Sequence, residues 1–147
     1  PIPSVSMRGP GFESEGGYWM GPVWMGHSID ILRGLFKHHP ESAHKLLDRL
    51  INLMLKDGTP AVHENYNPLS GQPLECPNFS WNGQLVDVLM RNMFGIGHQD
   101  GTVTATSSGV PAAWDRWIVR NIPLLGRRYT IEAEKVSGEW QHRIREQ

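Results

Sequence analysis

Two stretches of apolar residues at helical spacing, joined by a very short link, constrain the fold of this chain more than any other feature. The first runs through Met25, Ile29, Leu32 and Phe36, and the second through Ala43, Leu46, Leu47, Leu50, Ile51 and Met54. Gly21-Pro22 favours a helix start, because proline at the first helical position gives up an amide that would be unpaired anyway. His39-Pro40 separates the two stretches and Asp57-Gly58 ends the second. The sequence therefore predicts an antiparallel pair of helices.

The sequence after this pair predicts one more helix and then a change of period. A long proline-containing loop over residues 58–79 leads to Ser80, which can cap a helix with Leu85, Leu89 and Met93 on one face. Beyond residue 98, alternation in RYTIEAEK predicts a half-buried strand, and RWIVRN is its expected partner. We therefore predict a helical region over residues 1–97 and a β-rich tail over residues 98–147.

Charge and cysteine content exclude several classes of partner. The 147 residues include 14 basic and 15 acidic side chains, so no basic surface for nucleic acid is expected. No uninterrupted apolar run is long enough for a bilayer, and we expect no membrane association. Cys76 is the only cysteine, which is compatible with oxidising and reducing compartments. His38, His39 and His44 have no carboxylate or cysteine at ligand spacing, so neither a metal nor a cofactor is expected.

Three motifs carry the chemistry that the sequence offers. They are YWMGPVW before the first helix, HENYNP between the second and third, and FSWNGQ at the start of the third. The helix arrangement is expected to bring them to one rim, with aromatic side chains (Tyr18, Trp19, Trp24, Tyr66, Phe79, Trp81) beside polar ones (Glu64, Asn65, Asn82). Aromatic faces next to amides and a carboxylate suit a sugar, whose C–H faces stack on rings and whose hydroxyls need donors and acceptors. The motifs therefore predict a carbohydrate site.

Other interpretations stay open when the residues are considered alone. From the residues alone, Glu64 is better explained as a solvated loop carboxylate or an anion paired with a neighbouring Lys or His, and plain core packing is the alternative for Trp19, Trp24 and Trp81. Glu13 and Asp30 are further carboxylates that could bind sugar hydroxyls. A non-catalytic carbohydrate-binding chain and a structural helical interaction module are both alternatives to an enzyme. Ser107 has no evident histidine partner, so a serine hydrolase is not predicted.

Taken together, the three motifs resemble the C-terminal part of glycoside hydrolase family 63. That family and its relatives include processing α-glucosidase and bacterial hydrolases of small glucosyl or mannosyl compounds. Their pattern is roughly Tyr-Trp-Arg-Gly-Pro-x-Trp, a helix pair, Glu-Asn-Tyr-x-Pro-x-Thr-Gly and Phe-x-Trp-Ser, which residues 1 to 97 follow in order. The resemblance implies a mainly α fold, the C-terminal part of an (α/α)6 toroid of the six-hairpin glycosidase type, with a small β tail. It also implies hydrolysis of an α-glucosyl or α-mannosyl linkage with inversion.

The resemblance also implies roles for individual residues. Glu64 falls on the general base, and Tyr18, Trp19 and Trp24 fall on the segment that lines the sugar pocket. Asn65, Tyr66, Phe79 and Trp81 complete the expected substrate-binding set. Met20 stands where the family usually has arginine, Gly26 and Ser28 stand where asparagine is common, and Ser70 and Asn82 replace threonine and serine. These departures bear on which sugar is bound.

Half of the expected catalytic pair has no counterpart in this sequence. The family's general acid is an Asp in a motif resembling Gly-x-Asp-Asn-Ser, well upstream of the matched part, and nothing here matches it. Twelve helices of about 10–14 residues also exceed what 147 residues can hold. We therefore expect the acid to lie outside this chain and the isolated chain to be inactive. The expected partners are a small carbohydrate and either the upstream part of the catalytic domain or a second copy.

Overall fold

The computed structural model of the chain describes residues 2–15, 17–56 and 61–147. The chain divides into two compact units, Pro1–Val86 and Asp87–Gln147. The predicted boundary between residues 97 and 98 stays a prediction. Among the described residues, no helix combines the length and the apolar character needed to cross a bilayer.

The predicted helix pair is present in the first unit. Helix α1 is Met25–His38 and helix α2 is Pro40–Met54, with His39 between them. Eight of the ten apolar positions that helical spacing assigns to the interior are buried, whereas Ile51 is 37% exposed and Met54 is half-buried. The buried eight are Met25, Ile29, Leu32, Phe36, Ala43, Leu46, Leu47 and Leu50. Proline occupies the first position of α2, where its missing N–H costs nothing. The predicted stop at Asp57-Gly58 lies outside the described residues.

Two very short strands and two 3₁₀ turns complete the first unit. Strand β1 (Val23–Trp24) runs directly into α1 and pairs antiparallel with β2 (Asn65–Tyr66). The 3₁₀ turns are Tyr18–Met20 and Ser80–Gly83. The first predicted motif therefore contributes a strand where a helix start was expected.

The predicted third helix consists of three short consecutive segments with different helical geometry. After the 3₁₀ turn come a short α-helix α3 (Gln84–Val88) and a π-helical turn (Leu89–Met93). Ser80 does not cap this segment: the residue before the turn is Phe79, and no side chain makes a capping hydrogen bond. Since Asn82 Nδ2 donates to the His63 carbonyl at 2.8 Å, this asparagine is held by the preceding loop.

Antiparallel strands dominate the second unit. Strands β3 (Gly97–Gln99) and β4 (Thr102–Thr104) form a hairpin, and β5 (Arg116–Leu124), β6 (Arg127–Val136) and β7 (Glu139–Glu146) form a three-stranded sheet. The alternation read from RYTIEAEK is confirmed, because Tyr129, Ile131 and Ala133 are buried. Pairing of β5 with β6 is confirmed as well, with Trp117 opposite Ala133.

The predicted fold class, mainly α and the C-terminal part of an (α/α)6 toroid, is wrong for this chain. The described residues contain three α-helices, one of them only five residues long, and seven strands in three antiparallel sheets. Left-handed turn residues explain much of the β content, since Leu125-Gly126 and Ser137-Gly138 both have positive φ angles between adjacent strands. Positive φ at both central residues matches the twist of a tight hairpin. These two turns join β5 to β6 and β6 to β7, so that the three strands form one antiparallel sheet.

Candidate functional site

The pairing of β1 with β2 brings the first two motifs together. Trp24 lies opposite Asn65 and Val23 lies opposite Tyr66. The Met25 amide donates to the Glu64 carbonyl at 3.3 Å, so Glu64 is attached to the first residue of α1. The predicted meeting of YWMGPVW and HENYNP at one place therefore arises from strand pairing.

Six rings form a continuous aromatic row across this region. The row consists of Tyr18, Trp19, Trp24, His27, Trp81 and Phe79. Trp19 stacks on Trp24 with 4.0 Å between ring centroids and 15° between planes. His27 lies edge-on to Trp19 at 5.0 Å and is 6.3 Å from Trp81. The third motif thus approaches the first through His27, and it contacts the second directly through the hydrogen bond from Asn82 Nδ2 to the His63 carbonyl.

The aromatic row has a buried base and exposed members. Trp24 is only 3% exposed, and its indole N–H donates to the Tyr18 carbonyl at 3.2 Å. By contrast, Trp19 is 44% and Trp81 is 48% exposed, and Tyr18 is exposed too. Burying a large apolar ring is favourable, so exposed aromatic rings mark a surface that can take an apolar ligand face. Tyr18, Trp19 and Trp81 are the members of the row with such exposed ring surface.

Backbone and side-chain hydrogen bonds hold the loop that carries Glu64. The Glu64 amide donates to the Cys76 carbonyl at 3.0 Å, and the Leu74 amide donates to the Asn65 carbonyl at 3.2 Å. The Tyr66 hydroxyl accepts from the His63 amide at 3.0 Å and donates to the Ala61 carbonyl at 3.1 Å. Tyr66 is 1% exposed, so this hydroxyl anchors the loop from the inside.

The Glu64 side chain, unlike its hydrogen-bonded backbone, makes no polar contact among the described residues. The residue is half-buried, and among the described residues no hydrogen bond or ion pair to its carboxylate is found. A half-buried carboxylate is normally paired, because removing a charge from water without a partner is unfavourable. The carboxylate oxygens therefore remain available to accept a hydrogen bond from water or a ligand.

The predicted substrate-binding residues fall into two groups. Tyr18, Trp19 and Trp81 are exposed and Phe79 is half-buried, whereas Trp24, Asn65 and Tyr66 are buried. Of the buried three, Trp24 contacts the exposed rings directly, since it stacks on Trp19 and meets Tyr18 edge-on. Direct contact of these three with a substrate stays a prediction. Of the two further carboxylates, Asp30 makes an ion pair with Arg33 at 3.1 Å, whereas Glu13 lies beside the turn that carries Trp19, because its amide donates to the Met20 carbonyl at 2.7 Å.

Three buried polar atoms around the site have no partner among the described residues. They are Ser28 Oγ, Asn65 Oδ1 and Asn82 Oδ1. Buried polar atoms are nearly always hydrogen-bonded, so each such atom calls for an explanation. All three belong to segments that meet at the first turn of α1, which marks this turn as a place with unused hydrogen-bonding capacity.

Sequence reasoning missed two residues of this region. His27 carried no signal of its own, because a lone histidine on a helix has no characteristic spacing. Asn67 is 3% exposed; its Nδ2 donates to Glu15 Oε1 at 3.1 Å, and its Oδ1 accepts from the Leu69 and Ser70 amides, each at 2.9 Å. An Asn-Pro pair followed by Gly71 was the available signal for such a turn.

The expectation that Ser107 lacks a histidine partner is wrong. In the second unit, Ser107 Oγ accepts from the Trp117 indole N–H at 2.8 Å and lies 2.8 Å from His142 Nε2. Ser107 is 3% exposed, so the hydroxyl is buried behind these rings. The contact spans 35 positions in sequence, which is why no local pattern revealed it. Its geometry suits anchoring of the loop to the sheet.

Comparison with known proteins defines the class to which this chain belongs. A family model for the "Mannosylglycerate hydrolase MGH1-like glycoside hydrolase domain" matches residues 1–82, which contain the first two motifs and the first four residues of the third. The chain is therefore a glycoside hydrolase relative by sequence. It belongs to the MGH1-like glycoside hydrolase family, in agreement with the resemblance to family 63.

Two curated relatives have the same name. The chain is 34% identical over 85 residues to a mannosylglycerate hydrolase of Thermus thermophilus, covering 57% of this chain and 20% of that protein. It is 29% identical over 92 residues to a mannosylglycerate hydrolase of Rubrobacter radiotolerans, covering 61% of this chain and 20% of that protein. The chain thus spans about a fifth of the length of these relatives. No solved structure matches it.

Proposed function

We propose that this chain carries one side of the active site of a glycoside hydrolase that cleaves an α-glucosyl or α-mannosyl linkage with inversion. Glu64 is the general base that deprotonates the attacking water. The general acid is an Asp outside this chain, so the isolated chain does not turn over. Because both relatives are named mannosylglycerate hydrolases, a mannosyl compound is the first substrate to test.

The observation that carries this proposal is the contrast between backbone and side chain at Glu64. Hydrogen bonds to Cys76 and Met25 fix its backbone beside the start of α1, while its half-buried carboxylate has no partner among the described residues. A general base must be held in place and must reach water. A structural carboxylate would instead be expected in an ion pair or a capping bond.

The aromatic row supports a saccharide as the ligand. Trp19 and Trp81 expose large indole surfaces and both lie near His27. Trp19 also stacks on Trp24, which pairs with Asn65 next to Glu64. A pyranose can place its C–H face on such a ring while its hydroxyls meet polar groups. In an inverting enzyme the two carboxyl groups are about 6.5–9.5 Å apart, which leaves room for a water molecule beside the base.

A non-catalytic carbohydrate-binding chain is the second candidate. The exposed indoles support binding by themselves, and no Asp motif for the acid was recognised in the sequence. The two candidates differ only in what Glu64 does. Its removal should affect turnover in the first case and should have no catalytic consequence in the second.

The test is the Glu64→Gln substitution in a hydrolytically active protein that contains residues 1–147. We expect turnover to fall by about 10²–10⁴-fold, because the amide cannot accept the proton of the attacking water, while saccharide affinity stays close to that of the parent. Glu75→Gln is the matched control, since Glu75 is exposed in the same loop. Turnover of Glu64→Gln equal to that of the control would refute the assignment.

A further inference from the structure

His27 occupies a position between the two exposed indoles that no sequence pattern assigned to it. It lies in the first turn of α1, is exposed, and is 5.0 Å from Trp19 and 6.3 Å from Trp81 between ring centroids. Its contacts with both indoles are edge-type, at interplanar angles of 80° and 61°. Neither ring nitrogen has a hydrogen-bond partner among the described residues.

The neighbouring glycine explains how Trp81 comes so close to this turn. A Cβ built at Gly26 would lie 3.6 Å from the Trp81 ring, so the indole rests against the helix backbone beside His27. A side chain longer than alanine at position 26 would push the ring away. The Gly26-His27 pair therefore places an imidazole directly next to an exposed indole on each side.

An imidazole in this setting has a defined binding chemistry. Its neutral form carries one N–H donor and one acceptor nitrogen, and here both are unused among the described residues. The indoles beside it present apolar surface. A ring with hydroxyls on its edge and C–H groups on its face, such as a pyranose, satisfies both requirements at once.

We infer that His27 hydrogen-bonds a hydroxyl of a saccharide bound on Trp19 and Trp81, and that it selects between sugars by the position of that hydroxyl. The inference rests on the saccharide site of the proposed function but not on catalysis by Glu64. Selection follows because a hydrogen bond requires about 2.7–3.2 Å between heavy atoms, which an epimer with its hydroxyl on the other face cannot meet. A site built for a hydroxyl also disfavours the analogue that lacks it.

Two substitutions separate hydrogen bonding from ring packing. His27→Phe keeps an aromatic edge against both indoles and removes both nitrogens, whereas His27→Gln keeps donor and acceptor and removes the ring. His38→Phe, in the exposed last turn of the same helix, is the matched control. Each is titrated in the complete chain with mannose, glucose and 2-deoxyglucose, and binding is followed by tryptophan fluorescence and by the imidazole nitrogen signals in NMR spectra.

If the inference holds, His27→Phe binds the preferred sugar roughly tenfold to a hundredfold more weakly, while His27→Gln and His38→Phe stay within about threefold of the parent. His27→Phe should also lose the preference between mannose and glucose. Parent-like affinity and preference in His27→Phe would overturn the inference and leave the proposed function standing. If the parent chain binds none of the sugars, the saccharide site of the proposed function fails too.

Discussion

At the scale of single residues, the site combines side chains that sequence motifs reveal with side chains that they do not. Glu64, Trp19 and Trp81 each belong to a motif whose spacing could be read directly. His27 belongs to none, because its role depends on which rings lie beside it after folding. The same is true of His142, whose partner Ser107 is far away in sequence.

His142 should make stability depend on pH. Partial burial lowers the pKa of this imidazole below its usual value of 6.5, so the folded protein favours the neutral ring, whose Nε2 can accept the Ser107 hydroxyl hydrogen. The unfolded chain then binds the proton first. We therefore expect the free energy of unfolding to be highest above about pH 6.5 and to fall as the pH is lowered through the window just below it.

Urea unfolding at pH 7.5 and pH 5.5 measures this effect. His142→Gln should lose part of the difference in unfolding free energy between the two pH values, because it has no titrating ring there. His98→Gln, on the exposed strand β3, is the control and should retain the parent difference. An identical pH dependence in the parent and in His142→Gln would contradict this account.

At the scale of elements, apolar periodicity predicted the helices α1 and α2 and the strand β6 correctly, whereas the tight turns between strands were not predicted. Burial confirmed the stripe of α1, most of the stripe of α2 (Ile51 is exposed) and the alternation of β6. Asp100-Gly101, with positive φ at both residues, is a two-residue hairpin signal that the sequence offered and that joins β3 to β4. The pairing of β1 with β2 could not be predicted, since two-residue strands carry no periodic signal.

Close backbone packing at Gly21 makes the turn before β1 sensitive to a single methyl group. A Cβ at Gly21 would overlap the backbone oxygen of Glu13, a rigid group that cannot move aside as a side chain can. We expect Gly21→Ala to destabilise the fold by about 1–3 kcal/mol, as overpacking does. Since the turn holds Tyr18 and Trp19, the loss should also weaken saccharide binding.

Gly34→Ala is the control, and its expected effect on stability is opposite to that of Gly21→Ala. Nothing lies within 4 Å of a Cβ built at Gly34, which is exposed within α1. Alanine is the better helix former, so this change should stabilise the protein by about 0.5–1 kcal/mol. Both effects are measured by urea unfolding of the two variants. If Gly21→Ala were as stable as the parent, the turn would have to accommodate the added methyl group by moving, and the prediction would be wrong.

At the scale of the whole molecule, the family is better defined than the architecture. The first unit contains all three motifs and the whole segment that matches the family, residues 1–82, whereas the antiparallel strands β3 to β7 of the second unit lie outside that segment. The toroid was implied by the resemblance to family 63, whereas the chain spans only about a fifth of the length of its two relatives. A local motif can be recognised in a short chain because it depends on a few neighbouring residues. A closed ring of helices cannot be inferred in the same way, because it requires the whole length of the domain.

A structure of the chain bound to mannose or to a mannosyl compound would measure the central geometry directly. The proposed function predicts the sugar ring stacked on Trp19 or Trp81, with one water molecule between its anomeric carbon and the Glu64 carboxylate, at about 2.6–3.2 Å from a carboxylate oxygen. A sugar bound away from both indoles, or a Glu64 side chain directed away from the bound sugar with no water between them, would contradict it.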